Sequence, residues 1–219
     1  MSNQNYLSLG VWGRWMLLTV IGFILGGFVG TGVGLLAIGI LNMLFTSFPL
    51  LLQNQNVMYG MYSCVIAAAV AAGVVIGIFQ WFVLQRWFTQ RLWWILASAF
   101  GWAGIALTIF ILIFTTWWPV GTSLETNLWN NRGAIASSVT GLIIAALVIG
   151  ILQSLALRFT PPQAALWIVM NILVFLIVAI IIIFEVRNLT GIYSLPVFLV
   201  AYSPIYAAIS GVTLIRVQA

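Results

Sequence analysis

Gly73–Ile95 reads G-V-V-I-G-I-F-Q-W-F-V-L-Q-R-W-F-T-Q-R-L-W-W-I. An uncharged apolar run ends at Leu84, Arg86 and Arg91 bracket a short polar turn, and a new apolar run opens at Leu92. This is the pattern of one membrane helix ending and the next beginning. A near copy lies 73 residues later, at Ala146–Ile168: A-L-V-I-G-I-L-Q-S-L-A-L-R-F-T-P-P-Q-A-A-L-W-I. Identities fall at Ile76/Ile149, Gly77/Gly150, Gln80/Gln153, Leu84/Leu157, Trp94/Trp167 and Ile95/Ile168. Apolar bias accounts for the matched Ile and Leu, whereas matched Gly, Gln and Trp are harder to obtain by chance.

Outward from this module the chain is built of the same material. It has 219 residues, 64% hydrophobic and only 4% charged, against about 25% charged in soluble domains. Such a composition excludes a water-soluble fold. Long apolar runs in a bilayer must be helical, because each backbone group has to find its partner within the segment, and the alternation of a β-barrel strand is not seen. Six runs follow, at about 15–41, 61–84, 92–117, 133–157, 164–184 and 193–215. Each supplies the roughly 20 residues that cross a hydrocarbon core of about 30 Å. The expected fold is an all-α integral membrane protein of six transmembrane helices in one transmembrane domain, residues 1–219.

The charges orient it. Lys, Asp and His are absent, leaving seven Arg and two Glu. Arg14, Arg86, Arg91, Arg158 and Arg216 would share one face after six crossings, while Arg132 and Arg187 share the other with Glu125 and Glu185. Basic residues in short loops mark the cytoplasmic side, so the expected topology is N-in, C-in, with those five arginines as cytoplasmic anchors. Positive charge flanking apolar segments points to membrane anchoring and away from nucleic acid. Trp15, Trp87, Trp93, Trp94, Trp117 and Trp118 stand at run ends, where an interfacial aromatic belt is expected. Helix one also resembles the start of helix three, through Trp15/Trp94, Leu17/Leu96 and Gly22/Gly101. Three sequential hairpins of one type, repeated in parallel about an axis along the membrane normal, are the expected architecture.

Gly77-Ile78-Phe79-Gln80-Trp81-Phe82-Val83-Leu84-Gln85-Arg86 resembles the repeated G-x-x-Q-W-x-x-L-x-R segment of uncharacterised polytopic membrane proteins from cyanobacteria and other phototrophic bacteria. The following L-W-W-I-L-A-S-A-F-G-W-A-G run is similar to their next helix. The resemblance covers about the middle two-thirds of the chain, and the second copy departs from it with Ser154 in place of Trp. It implies topology and a bacterial origin and carries no activity.

Two sets of small and polar residues stand out. Gly73, Gly77, Gln80 and Leu84 lie on one helix face at i, i+4, i+7 and i+11, and Ala146, Gly150, Gln153 and Leu157 repeat the spacing. Ser98 and Asn171 correspond across the repeat at similar depth. Gln80, Gln153, Ser98 and Asn171 are therefore expected as a polar layer, either gluing helices together or lining a path or a pigment site. Gly22, Gly26, Gly30 and Gly34 form a small-residue ridge on helix one, for internal packing or for a partner groove.

Catalytic chemistry finds few residues to work with. There is no His, neither Glu is expected in mid-membrane, and Cys64 is the only cysteine, so acid–base, metal and proton-relay arrangements lack their usual groups. The expectation is not an enzyme but an accessory or scaffold subunit packing against a larger bacterial membrane complex, photosynthetic or respiratory, in the cytoplasmic or thylakoid membrane. The alternative is a small transporter or channel for a neutral or lipid-like solute. No cofactor and no metal are expected; bound lipid is, and a chlorophyll-type pigment or carotenoid is the further candidate. Other integral-membrane subunits are the expected partners.

Overall fold

The computed structural model describes residues 2–47, 54–85, 91–117, 132–188 and 194–218. Six helices account for nearly all of them: α1 Ser2–Ser47, α2 Asn54–Leu84, α3 Arg91–Trp117, α4 Arg132–Leu157, α5 Pro161–Asn188 and α6 Ser194–Gln218. Three described stretches are long and apolar enough to cross a membrane, Gly10–Ser47, Gly60–Leu84 and Val139–Leu157. The described chain is an all-helical assembly with the character of a membrane protein.

The helices form a closed ring. Each packs against its neighbours in the chain, and α1 closes the circle on α6. Small residues bring the backbones together. A Cβ added at Gly77 would stand 3.1 Å from Ile95 Cα, and one at Gly150 would stand 3.0 Å from Ile168 Cα. The α2–α3 and α4–α5 seams therefore use the same kind of contact, 73 residues apart in the chain. At Gly73 the added atom would meet Ala99 Cα at 2.8 Å. Between α1 and α2 the glycine ridge does the work. Gly22 faces Ile76 and Phe79, Gly26 faces Ala72 and Ile76, Gly30 faces Ala68 and Ala72, and Gly34 faces Ala68.

The turn from α4 to α5 is written in local chemistry. Arg158 adopts a left-handed φ of 53°, with Arg158 N–H donating to the Leu155 carbonyl at 3.2 Å and Phe159 N–H to that of Ser154 at 3.1 Å. This is a Schellman stop, with arginine in the place glycine commonly takes. Two residues later Thr160 starts α5. Its N–H donates to Gln163 Oε1 at 3.0 Å, half of a capping box, and Pro161 takes the first helical position, which needs no N–H.

Helix α1 is longer than the apolar run at both ends. Its 46 residues extend about 69 Å at 1.5 Å per residue. Helical hydrogen bonds are internal, so the polar Ser2–Tyr6 segment continues the helix where hydropathy stops. From Trp15 to its far end α1 covers about 48 Å, whereas α3 from Trp94 covers about 35 Å. The far ends of α1 and α2 thus stand proud of the ring. There Ile40, Met43 and Leu44 are exposed, as are Leu35, Leu36 and Ile38 just below, and Gly32 and Gly39 have nothing within 4 Å of an added Cβ.

Candidate functional site: a layered ring interior

The interior is built in layers from one end. The first is a girdle of three tryptophans and three leucines, Trp15, Trp94 and Trp167 with Leu84, Leu157 and Leu214, all buried in one cluster. Trp15 meets Trp94 edge-on at 6.4 Å between ring centres, and Trp94 meets Trp167 edge-on at 6.3 Å, the arrangement favoured by the ring quadrupole. Phe159, from the α4–α5 turn, covers Trp167 at 5.9 Å. The belt expectation is corrected here: Trp15 and Trp94 are 0% exposed and form the core, while Trp93 remains outside. Helical phase makes the difference, because adjacent residues point about 100° apart.

The second layer is polar. Gln80, Ser98, Gln153 and Asn171 are all buried, and Thr19 and Ser210 join them. Trp167 Nε1 donates to Gln153 Oε1 at 3.1 Å, and Trp15 Nε1 donates to Ser210 Oγ at 2.9 Å. In both cases an odd-numbered helix hands its indole proton to the even-numbered helix beside it. Asn171 Nδ2 turns back to the Trp167 carbonyl at 2.9 Å, as Ser154 Oγ does to that of Gly150 at 2.6 Å. Several atoms stay without a partner: Gln80 Nε2, Trp94 Nε1, Ser98 Oγ, Asn171 Oδ1 and Thr19 Oγ1.

The third layer is aromatic. Phe23 packs edge-on against Trp102 at 5.1 Å and lies 5.7 Å from Tyr206. Between the second and third layers is a cavity of about 10 Å³ lined by Gln80, Ser98, Gln153 and Tyr206, with Trp102, Ile105, Ile149 and Phe175. The residues come from five of the six helices, which puts the cavity at the ring's centre. The structure therefore brings Gln80, Ser98 and Gln153 together at one point. Asn171 instead lines an adjoining crevice, again shared with Tyr206. Tyr206 shares the cavity lining with Gln153 and Gln80, and Gln80 Nε2 has no hydrogen-bond partner.

Sequence reading missed Tyr206, Ser210, Thr19 and the tryptophan girdle. The signal was present. Trp15, Thr19 and Phe23 recur as Trp94, Ser98 and Trp102 and as Trp167, Asn171 and Phe175, each at i, i+4 and i+8. Ser203, Ala207, Ser210 and Leu214 repeat the spacing of Gly73, Gly77, Gln80 and Leu84 on α6.

Arg14, Arg158 and Arg216 are exposed and adjoin girdle residues, so all three lie at the tryptophan end. Arg86, Glu125, Trp87 and Trp118 lie outside the described residues, as do the side chains of Arg91, Trp117, Arg132, Glu185 and Arg187. Cys64 is a buried free thiol. Among the described residues no three His, Cys, Asp or Glu side chains gather. The groups at the centre are neutral donors and acceptors, suited to hydrogen bonding. On the outer surface an apolar groove of about 370 Å³ runs between α3 and α4, lined by Trp93, Leu96, Ala97, Phe100, Leu152, Leu155 and Ala156. The chain matches no family model, no curated protein and no solved structure.

Proposed function

We propose that this chain is a non-catalytic accessory or scaffold subunit of the bacterial cytoplasmic or thylakoid membrane, crossing it six times with both termini inside. Its ring is three hairpins related by a pseudo-three-fold axis along the membrane normal. Two are α2–α3 and α4–α5; the third joins α6 to α1 across the chain's two ends, so that first and last helices close the circle together. Equivalent contacts at Gly77 and Gly150 and equivalent indole bonds from Trp167 and Trp15 support this reading. Three exposed arginines at the tryptophan end support the sidedness.

The observation that carries the accessory role is the overhang. From Trp15 to Phe45 α1 has no charged residue and would span about 45 Å, well beyond a hydrocarbon core of about 30 Å. Its far half exposes large apolar side chains that the ring leaves uncovered. A neighbouring membrane subunit seated on that face would cover them. Lipid chains fit the groove between α3 and α4. The solute-conduit alternative draws no support from a centre with room for about one water.

Solubilising native membranes in a mild detergent tests the proposal. The protein should migrate in an assembly much larger than its 24.0 kDa, and Leu36→Gln with Ile40→Gln should release it as a folded monomer. An absorption spectrum of the assembly reports any chlorophyll-type pigment or carotenoid. Wild-type protein recovered only as a free monomer, or a double variant that stays in the assembly, would overturn the accessory role.

A further inference from the structure

We infer that the centre of the ring binds one structural water molecule, held by Gln80 and Ser98 and completed by Gln153 and Tyr206. Two side chains almost wholly buried, Gln80 at 1% and Ser98 at 2% exposure, line the same cavity, and each carries a buried polar atom without a protein partner, Gln80 Nε2 and Ser98 Oγ. Buried polar groups almost always have a partner, and a buried water typically makes about three hydrogen bonds to groups left over by the protein. The cavity has the matching size. Its volume of about 10 Å³ is roughly one water's requirement.

The chemistry of the lining selects among small occupants. Gln80 Nε2 presents N–H donors, which a bare cation would meet with the wrong sign. A halide is larger than the space and would bring an uncompensated charge into a site without a cationic side chain in its lining. Water accepts from Gln80 Nε2, can accept from or donate to Ser98 Oγ, and keeps bonding capacity for Gln153 and Tyr206. Gln153 Oε1 already accepts the Trp167 indole proton at 3.1 Å, so the same water ties the α2–α3 hairpin to the bonded network of α4–α5. Phe23 packs on Trp102 and Tyr206, and the tryptophan–leucine girdle closes the other side. A water held between these layers exchanges slowly with bulk.

Radiolytic hydroxyl labelling reads this directly, because a bound water converts buried neighbours that bulk radicals cannot reach. Full-length protein in nanodiscs is mixed rapidly with H2-18O and irradiated. Tyr206 should be oxidised despite its burial, and the inserted oxygen should remain the light isotope at mixing times when exposed Trp93 already carries the heavy one. Ser98→Val, which removes one ligand and fills space, should lower labelling at Tyr206 several-fold while leaving Trp93 unchanged. Should that variant fail to fold, Ser98→Ala and the wild-type isotope delay still decide. Unmodified Tyr206 beside fully labelled Trp93 would overturn the inference, as would wild-type labelling of Tyr206 in a folded Ser98→Val protein.

Discussion

Helix α1 is one helix with two fates. From Trp15 to Gly30 its inward face is sealed: Trp15, Thr19 and Phe23 are at most 1% exposed, and Gly22, Gly26 and Gly30 touch α2 so closely that a methyl group would collide. From Thr31 to Ser47 the same kind of sequence, again apolar and again punctuated by glycine, has Leu35 and Leu36 at 65% and 70% exposure. Gly32 and Gly39 touch nothing. Composition does not separate the two halves. Outward side chains of the near half are exposed too, Leu17 at 61% and Phe28 at 74%, so what separates a sealed position from an open one is a partner helix on that side. A small-residue pattern permits close approach, and only a partner at the same level turns permission into contact.

The strongest way to break the comparison is to truncate one large side chain in each half. Trp15→Ala removes a wholly buried indole that packs on Trp94 and donates to Ser210. It should cost about 3–5 kcal/mol, the range for emptying a large aromatic site. Leu36→Ala, on the uncovered half, should stay within about 0.5 kcal/mol. Denaturant unfolding in mixed micelles compares the pair. Equal losses would mean that the overhang is packed as tightly as the girdle.

A second pair inverts the logic by adding bulk. Gly30→Leu would place a side chain where a Cβ already stands 2.8 Å from the Ala68 carbonyl oxygen. Backbone cannot yield as a side-chain tip does, so α1 and α2 must part, at about 1–3 kcal/mol. Gly39→Leu meets open space and exchanges a poor helix former for a good one, gaining up to about 1 kcal/mol. Opposite signs from chemically identical substitutions on one helix would sharpen the comparison. Two losses of similar size would place a neighbour against Gly39 within this chain.

The same contrast explains what could be read from residues alone. Gly77 and Gly150, Gln80 and Gln153, and Trp94 and Trp167 were legible because they match by name at one offset. On α1 and α6 the reading stopped at Trp15/Trp94, Leu17/Leu96 and Gly22/Gly101. Thr19 and Ser210 escaped it because they keep polarity and change identity, Thr19 against Ser98 and Ser210 against Gln80. A polar layer constrains hydrogen-bonding class, not names. The tryptophans were misplaced for a related reason. Position along a helix sets depth in the membrane, but only phase sets inside or outside, and phase needs the partner helices. Polar Ser2–Tyr6 shows the third limit, since hydropathy marks where apolar residues end and not where helical hydrogen bonding ends.

The smallest expected effect tests the two halves through a hydroxyl. Thr19 is 0% exposed and its Oγ1 has no partner, whereas Thr31 is exposed and bonds back to the Gly27 carbonyl at 2.8 Å. Valine keeps the branched shape and removes the oxygen. A buried hydroxyl without a partner carries a desolvation cost, so Thr19→Val should raise stability, by about 1 kcal/mol. Thr31→Val forfeits a local bond made on the helix's own surface and should lower stability by less than about 1 kcal/mol. The sign at position 19 is the informative quantity: a loss there would show that Thr19 Oγ1 is bonded in the folded protein, which would tie α1 into the polar layer by a hydrogen bond of its own.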